Sequence, residues 1–380
     1  MVRLVEAKPI SSGDLARAGF DWFDQEYQCA EEMVELGEPE ADAYLDAAEE
    51  LYEMFVETAE EIMSNNLLPE FGFPLEMNSL IWESWEEDRY WHIYGRFDLA
   101  GGMDGVPIKL IEFNSDTATL VLETAVVQWL QARLNGFDET AQVNDLFEAL
   151  RDQFDRLASL NPQLERRLLT TCFDSSEDYW TCRLMEKAAN DAGFDCDFED
   201  IDAVTFAPGG VFTTDPDEVH WPYLYKLIPW ESIIYDEPEL LDLLGQSMKS
   251  GSTMVINPPY ALLFQHKRFL AKLYEKFPDH PYLLKTSLAP LPAPCARKPV
   301  LGREGKNVEL LLGTGAVAGA DGGYGAQQSI WQELGQFAVD AKGNKYQAGV
   351  FFAGRPAGLG FRRDPRIHSD RSQFIGHIIR

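Results

Sequence analysis

Cysteine is scarce in this sequence and is never arranged in closely spaced pairs. Five cysteines are scattered over 380 residues, and none of them forms a C-x-x-C motif. A disulfide framework is usually built from an even number of cysteines, and a structural zinc site usually takes ligands at short, regular spacings. We therefore expect reduced thiols and predict neither a disulfide framework nor a zinc site.

Basic residues and long apolar runs are also in short supply. The chain has 63 acidic residues against 32 lysines and arginines, a formal net charge of −31, which disfavours binding to nucleic acid and to anionic membranes. No apolar run approaches the roughly twenty residues of a membrane helix, and the start, MVRLVEAKPISSGDLARAG, lacks the apolar core of a signal peptide. We expect a soluble, cytoplasmic protein with no nucleic-acid or membrane partner. An anionic ligand would need locally placed lysines and arginines.

Two neighbouring strand patterns carry polar side chains on one face. The runs GRFDLA and KLIEFN alternate polar and apolar residues, and the turn sequence GGMDGVP between them predicts an antiparallel hairpin. In that hairpin Asp98, Glu112 and Asn114 converge beside Arg96. Two carboxylates and an amide suit Mg²⁺, which otherwise prefers water and substrate phosphates. The alternative is a solvated polar face, which is the usual explanation of an isolated E-x-N motif.

The remaining pattern predicts a mixed α/β protein with several lobes. Helical spacing of apolar residues marks 41–64 and 121–134, and a strand, a helix with a serine N-cap and a second strand follow from residue 165. This β-α-β unit indicates an α/β lobe that ends at the turn-rich stretch KSGSTMVINPPY. We divide the chain into four regions: a helical region packing on the core (1–80), the hairpin (81–135), the α/β domain (136–250) and nucleotide-binding lobes (251–380).

The basic groups that could bind phosphates lie in the last third of the chain. Lys267 begins an amphipathic helical pattern, and Lys298 lies in the first of two strands joined by GREG. Residues 313–325 are rich in glycine and predict a mobile loop that could approach phosphates closely. Each lysine alone is best explained as a surface residue. With the hairpin and Arg362, however, they form the set of groups that phosphoryl transfer requires.

Six sequence blocks resemble one enzyme family in both order and spacing. They are RFDLA, LIEFNSDTATLVLETAVVQW, YKLIPWE, HKRFLAKLYEKFPDHPYLL, KPVLGREGKNV and PAGLGFRRDPRIHSDRSQF. Together they resemble the glutathionylspermidine synthase family of ATP-grasp ligases, from about residue 20 to the end of the chain. The resemblance is to the stand-alone acid–amine ligase branch, because the chain has no room for an N-terminal cysteine amidase domain. Two departures, VINPPY before the lysine helix and His266 beside Lys267, concern substrate choice.

The resemblance implies a fold, two cofactors and a set of residues. The fold is an ATP-grasp fold in permuted order, with the metal hairpin before the lysines and an associated α/β domain, and the cofactors are ATP and Mg²⁺. The implied site residues are the metal ligands Asp98, Glu112 and Asn114, the ATP-phosphate lysines Lys267 and Lys298, the transition-state arginines Arg96 and Arg362, and the adenine-pocket residues Gln332 and Leu334.

The implied chemistry joins a carboxylate to an amine through an acyl phosphate. The acid would be glutathione-like or peptide-like and the amine a polyamine or amino acid. The residues expected at the substrates are Thr117 and Thr119 for the acid and Glu177 and Asp370 for the amine, and Asp116 is a further expected substrate residue. For Glu177 and Asp370, a first-turn helix position and a loop position are the structural alternatives. Two other functions share the phosphate apparatus: a catalytically silent ATP-binding module and a small-molecule kinase.

Overall fold

The computed structural model describes residues 1–20, 27–28, 31–214, 218–303, 305–313, 315–318, 322–324, 327–365 and 372–380. Within these ranges the chain is a mixed α/β protein with five sheets. Its α-helices are α1 (Ser12–Arg17), α2 (Glu38–Ser64), α3 (Leu75–Glu86), α4 (Gln128–Leu134), α5 (Leu146–Leu160), α6 (Ser176–Asp191), α7 (Trp230–Asp236), α8 (Pro238–Ser250), α9 (Tyr260–Gln265) and α10 (Arg268–Lys276). Short 3₁₀ turns lie at Leu68–Phe71, Glu139–Ala141 and Ile201–Ala203, and a π-helical turn lies at Glu123–Val127.

The strands run from the first residues to the last. They are β1 (Arg3–Glu6), β2 (Glu32–Leu36), β3 (Gly95–Ala100), β4 (Lys109–Asn114), β5 (Arg167–Thr171), β6 (Asp195–Phe198), β7 (Val204–Ala207), β8 (Gly210–Thr213), β9 (Val219–Trp221), β10 (Tyr223–Lys226), β11 (Met254–Ile256), β12 (Thr286–Ser287), β13 (Cys295–Pro299), β14 (Glu309–Leu312), β15 (Gly315–Ala318), β16 (Ser329–Glu333), β17 (Ala338–Val339), β18 (Lys345–Phe352), β19 (Pro356–Asp364), β20 (Gln373–Ile375) and β21 (His377–Ile379).

The central sheet contains the predicted hairpin. Its order is β20-β19-β18-β3-β4, with β17 paired to β18, and β3 and β4 pair antiparallel as the sequence predicts. One face of this sheet packs against the long helix α2, whose Phe55 contacts Phe97 and Phe113 at ring-centroid distances of 5.8 and 5.2 Å. Because side chains alternate along a strand, this apolar packing turns the intervening polar side chains to the opposite face.

The two lysines predicted to bind phosphate belong to the segments that cover this polar face. Lys267 lies at the N-cap position of α10, and Lys298 lies in β13, the middle strand of a five-stranded sheet of order β12-β16-β13-β14-β15. We call this second sheet the lysine sheet. The pairing of β13 with β14 confirms the two strands predicted on either side of GREG.

The predicted β-α-β unit is also present. Strand β5, helix α6 and strand β6 follow one another, and β5 and β6 pair in parallel within a four-stranded sheet of order β11-β10-β5-β6. The Ser175 hydroxyl caps α6 by accepting a hydrogen bond from the Asp178 amide, and Gly193 follows the helix with a φ of 84°. The predicted serine cap and glycine stop are therefore confirmed.

Three local expectations need correction. Part of the glycine-rich stretch, Gly315–Ala318, is strand β15 paired with β14, because backbone pairing needs no large side chain. Met254–Ile256, expected within a turn, is a buried edge strand of the parallel sheet, since three apolar residues suffice for one. Region 1–80, expected to be helical, also supplies β1 and β2, and β2 pairs with β21 at the far end of the chain. Among the described residues, no helix is both long enough and apolar enough to cross a bilayer.

Candidate active site

The polar face of the central sheet brings together side chains from four strands. In the register of the sheet Asp98 lies opposite both Glu112 and Gly349, and Gly349 lies opposite Gly360. Arg362 lies opposite Gln347 on the same face. The face is therefore assembled from β3, β4, β18 and β19, although the first two strands are far from the last two in sequence.

A large cavity lies between this face and the lysine sheet. Its volume, including its open mouth, is about 1130 Å³. The described residues that line it include seven of the nine predicted for metal, ATP and transition state: Asp98, Glu112, Lys267, Lys298, Gln332, Leu334 and Arg362. Gln332 and Leu334 lie at the end of β16 and just beyond it, where the sequence predicts the adenine pocket.

The two lysines approach the cavity from different elements and have different partners. The ammonium group of Lys267 lies 3.0 Å from a carboxylate oxygen of Glu112 and donates a hydrogen bond to the Gly302 carbonyl at 2.7 Å. Lys298 donates to the side-chain oxygen of Gln332 at 2.7 Å. Both lysine side chains are nearly buried, so each is a cation held at the cavity wall in a fixed place.

Burial and neighbouring charges shift the pKa values of this group. Burial by itself would raise the pKa of Glu112, but Lys267, Lys298 and Arg96 outweigh it, and its pKa lies below the usual value. Burial lowers the pKa of Lys298 to about 8, even though Glu112 and Asp98 oppose the shift. Glu112 is therefore an anion at neutral pH, and Lys298 is a cation that loses its charge in mildly alkaline solution.

Arg96 and Asp98 form a nearly buried pair at the back of the cavity. The Nε atom of Arg96 donates to Asp98 Oδ1 at 2.6 Å, and the Gln347 amide donates to Asp98 Oδ2 at 2.9 Å. Arg96 also donates to the Thr119 carbonyl. These contacts fix the Asp98 carboxylate in the cavity wall. Gln347 was not predicted from the sequence, because its place depends on the pairing of β18 with β3.

The oxygen donors fit an Mg²⁺ ion that is shared with a nucleotide. Asp98 and Glu112 both line the cavity, and Mg²⁺ commonly binds through one or two carboxylates together with substrate phosphates and water. No group of three or more histidine, cysteine or acidic side chains that could hold a metal occurs among the described residues. Asn114 lies outside the cavity wall, and its buried amide nitrogen has no hydrogen-bond partner. The arrangement suits a metal–nucleotide complex better than a metal held by protein alone.

A buried acid beside the arginines was missed in the sequence. Glu123 opens the π-helical turn before α4, and its carboxylate accepts a hydrogen bond of 2.5 Å from the Tyr27 hydroxyl. Burial raises the pKa of Glu123, and the charges of Arg96 and Arg362 act in the opposite direction. The signal that could have revealed this residue is an acid inside the apolar run LVLETAVVQW. π-Helical turns occur frequently at functional sites.

The described residues predicted for substrate contact do not line the cavity, unlike most of those predicted for metal and ATP. Asp116, Thr117, Thr119 and Glu177 are absent from the cavity wall formed by the described residues, and Asp370 lies outside the described ranges. Asp116 is buried and accepts from Lys226 at 3.1 Å and from the Trp230 amide at 2.7 Å. Thr117 accepts from Arg303 at 2.9 Å, and Glu177 occupies the first turn of α6. Direct substrate contact by these residues remains a prediction.

No histidine is among the described residues that line the cavity. His92, His266 and His377 are buried, and burial lowers their pKa values to about 4, 3 and 3. These three imidazoles are neutral at physiological pH. His266, next to Lys267, packs against the rings of Phe71 and Phe73 instead of facing the cavity. The interpretation of these histidines as structural residues stays a prediction, and their burial and low pKa values agree with it.

The low pKa of Lys298 predicts a pH dependence of nucleotide binding. Phosphate binds the protonated lysine, so affinity for a Mg²⁺-bound, non-hydrolysable ATP analogue should be constant below the pKa of about 8 and fall above it. Titration calorimetry from about pH 7 to about pH 9.5 should show Kd rising by up to about tenfold per pH unit in the alkaline part. Lys298→Met should bind more weakly but without this alkaline dependence. A flat wild-type curve would contradict the assignment of Lys298 to phosphate.

One known protein family matches nearly the whole length of the chain. The family described as glutathionylspermidine synthase preATP-grasp matches residues 3–380. Among curated proteins, a "putative acid–amine ligase" of Haemophilus influenzae is 27% identical over 391 aligned residues, covering 97% of both chains.

Two further relatives are longer than this chain. A trypanothione synthetase of Crithidia fasciculata is 27% identical over 84% of this chain and 52% of its own length. A glutathionylspermidine synthase of the same organism is 24% identical over 70% of this chain and 40% of its own length. The chain thus spans about half or less of these two relatives.

A solved structure gives independent support for the fold. The apo structure of a glutathione synthetase-like effector from Globodera pallida covers 98% of both chains, with a TM-score of 0.54 and 12% sequence identity. At this identity the likeness concerns the fold alone. The similarity of fold covers nearly the whole of both chains.

Proposed function

This chain belongs to the glutathionylspermidine synthase family, and we propose that it is an ATP- and Mg²⁺-dependent acid–amine ligase. The observation that carries the proposal is the composition of one cavity wall. The predicted acids Asp98 and Glu112, the predicted lysines Lys267 and Lys298, and Arg362 line the same space, together with Glu333, Lys306 and Lys345. The names of the relatives indicate the reaction class, and the cavity supplies the charges that this class requires.

The first proposed step is transfer of the γ-phosphoryl group to the substrate carboxylate. A carboxylate oxygen attacks the γ-phosphorus, the bond to the bridging oxygen breaks, and ADP leaves as an acyl phosphate forms. Lys267, Lys298 and Arg362, which line the cavity, would stabilise the negative charge that is spread over the phosphoryl oxygens. Mg²⁺, when bound at Asp98 and Glu112 with the nucleotide, would supply further charge neutralisation.

The second proposed step forms the amide. The neutral amine attacks the acyl carbon, phosphate leaves with the former carboxylate oxygen, and the amine loses its proton to solvent or phosphate. No protein nucleophile is required, in agreement with the buried, neutral histidines that the structure describes. The expected acid is glutathione-like or peptide-like, and the expected amine is a polyamine or an amino acid.

The proposed fold assignment is a permuted ATP-grasp arrangement. The metal-binding strands β3 and β4 precede the lysine sheet in sequence, while β18 and β19 return to complete the same central sheet. The nucleotide would lie between the central sheet and the lysine sheet, with its adenine ring against Gln332 and Leu334. The parallel sheet would form the associated α/β domain. In this assignment, the phosphates and the metal would lie at the acid-bearing hairpin, as the ligase proposal requires.

The test is a product assay with purified protein and Mg²⁺-ATP. Pools of acids, including glutathione and short peptides, are combined with pools of polyamines and amino acids, and ADP release and product mass are followed. The proposal predicts a mass equal to acid plus amine minus water, formed together with ADP and dependent on both substrates. A stable phosphorylated acid formed without amine would indicate a kinase instead. Nucleotide binding with no ADP release from any pool would indicate a silent module.

A further inference from the structure

A small pocket lies behind the main cavity, on the same polar face of the central sheet. It is lined by Arg96, Asp98, Thr124, Gln347, Gly360 and Arg362, together with two neighbouring residues. Asp98, Gln347 and Arg362 also line the main cavity, so the two spaces adjoin at these three side chains. The free space in this rear pocket accommodates about one water-sized group.

The rear pocket contains a hydroxyl group with no partner. Thr124 is 1% exposed, and its Oγ1 atom makes no hydrogen bond in the part of the chain that the structure describes. A buried hydroxyl is normally paired, since leaving it unpaired forfeits its hydration without compensation. The unpaired Thr124 hydroxyl is therefore available to a ligand atom in this pocket.

Glycines keep the space beside this hydroxyl open. A Cβ atom at Gly360 would lie 3.0 Å from Thr124 Oγ1 and 2.9 Å from the Phe374 ring, and a Cβ atom at Gly349 would lie 2.9 Å from the Arg96 side chain. The π-helical turn that contains Thr124 thus approaches β19 at glycine positions directly beside Arg362. A larger residue at Gly360 would fill the pocket that the hydroxyl faces.

The charges around the pocket select the kind of atom that fits. Arg362 contributes a positive charge that favours an anion, whereas Arg96 and Asp98 are paired with each other and Asp98 also accepts a hydrogen bond from Gln347. A whole phosphoryl group exceeds the space for one water-sized group, but a carboxylate can place one oxygen there while its carbon chain extends into the main cavity. We propose that Thr124 is a substrate-contacting residue whose hydroxyl donates a hydrogen bond to the reacting carboxylate of the acid substrate in the rear pocket.

This inference rests on the ligase proposal, and its test begins without catalysis. Acetate, the smallest stable carboxylate probe with a methyl tail, is titrated into protein saturated with Mg²⁺ and a non-hydrolysable ATP analogue, and thermal unfolding is followed. Acetate should raise the Tm of the wild type and of Thr124→Ser, and this rise should be lost in Thr124→Val. Thr205→Val, the same change at an exposed strand position, should respond as the wild type does. No response in the wild type, or an unchanged response in Thr124→Val, would overturn the inference.

The kinetic arm uses the acid and amine identified in the product assay. Thr124→Val should lower kcat/KM for the acid by about tenfold to a hundredfold, as expected for a lost hydrogen bond to a charged group, with KM for ATP unchanged. Thr124→Ser keeps the hydroxyl and removes the methyl group, so its kcat/KM should lie close to that of the wild type. A purely structural role of the methyl group would not allow this result. An active wild type with an equally active Thr124→Val would refute the role of Thr124 alone. Hydroxyl-dependent acetate binding without any turnover would instead refute the ligase proposal alone.

Discussion

Glu112→Gln is expected to abolish Mg²⁺-dependent turnover while the protein stays folded. Glutamine preserves the size of the side chain but removes the charge that would bind the metal and that pairs with Lys267 at 3.0 Å. Loss of a metal carboxylate should cost about a hundredfold to a thousandfold in kcat, about 3–4 kcal/mol in the barrier. Because the Glu112 side chain lies at the cavity wall and is partly exposed, the free energy of unfolding should change by only about 1 kcal/mol.

The matched control for this variant is Glu309→Gln. This variant makes the same glutamate-to-glutamine change on β14 of the lysine sheet. There the Glu309 carboxylate is exposed and pairs with Arg297 at 3.2 Å. Activity of Glu309→Gln should stay within about twofold of the wild type. A Mg²⁺ activation curve adds a second readout, because Glu112→Gln should need more Mg²⁺ for half-maximal rate. Wild-type turnover and an unchanged Mg²⁺ requirement in Glu112→Gln would overturn the metal assignment.

Of the substitutions considered, Lys226→Met should cause the largest loss in the free energy of unfolding. Lys226 and Asp116 are an ion pair at 3.1 Å with both side chains buried, and the Trp230 amide donates to the same carboxylate. Burial lowers the pKa of Lys226, while Asp116 acts to raise it, so the two charges depend on each other. Removing the lysine leaves a buried carboxylate without its cation, and the expected loss is about 3–5 kcal/mol in the free energy of unfolding.

Urea unfolding of a double-mutant cycle tests this interpretation. The double variant Asp116→Asn/Lys226→Met should be more stable than Lys226→Met alone, since no buried charge remains unpaired. Lys187→Met, which removes one partner of an exposed helical ion pair, should lower stability by only a few tenths of a kcal/mol. If Lys226→Met were as stable as this control, the assignment of a stabilising role to the Lys226–Asp116 pair would be wrong.

The hairpin could be predicted because its information is local. Alternation of polar and apolar residues in GRFDLA and KLIEFN, with a glycine-rich turn between them, determines which side chains share a face, and the turn determines which strands pair. The same holds for the β-α-β unit, whose serine cap and glycine stop lie next to the helix they delimit. Lys298 was likewise placed correctly in a strand from the residues around it.

The rest of the site depends on contacts that are distant in sequence. Gln347 donates to Asp98 from a position 249 residues away, and this contact exists only because β18 pairs with β3. Lys226 reaches Asp116 across 110 residues, so the sequence around Asp116 gives no sign of this ion pair. Thr124 was overlooked because a threonine in an amphipathic segment gives no sign that its hydroxyl is unpaired. Periodicity identifies faces, but it does not identify which faces meet.

Transfer of a labelled oxygen tests the central claim most directly. The acid substrate, with ¹⁸O in its reacting carboxylate, is incubated with Mg²⁺-ATP, amine and enzyme, and the released phosphate is analysed by mass. Activation of the carboxylate through an acyl phosphate predicts inorganic phosphate that carries one ¹⁸O atom, formed in step with the amide and with ADP. Phosphate without the label, or label retained in a stable phosphorylated product with no amide, would contradict it.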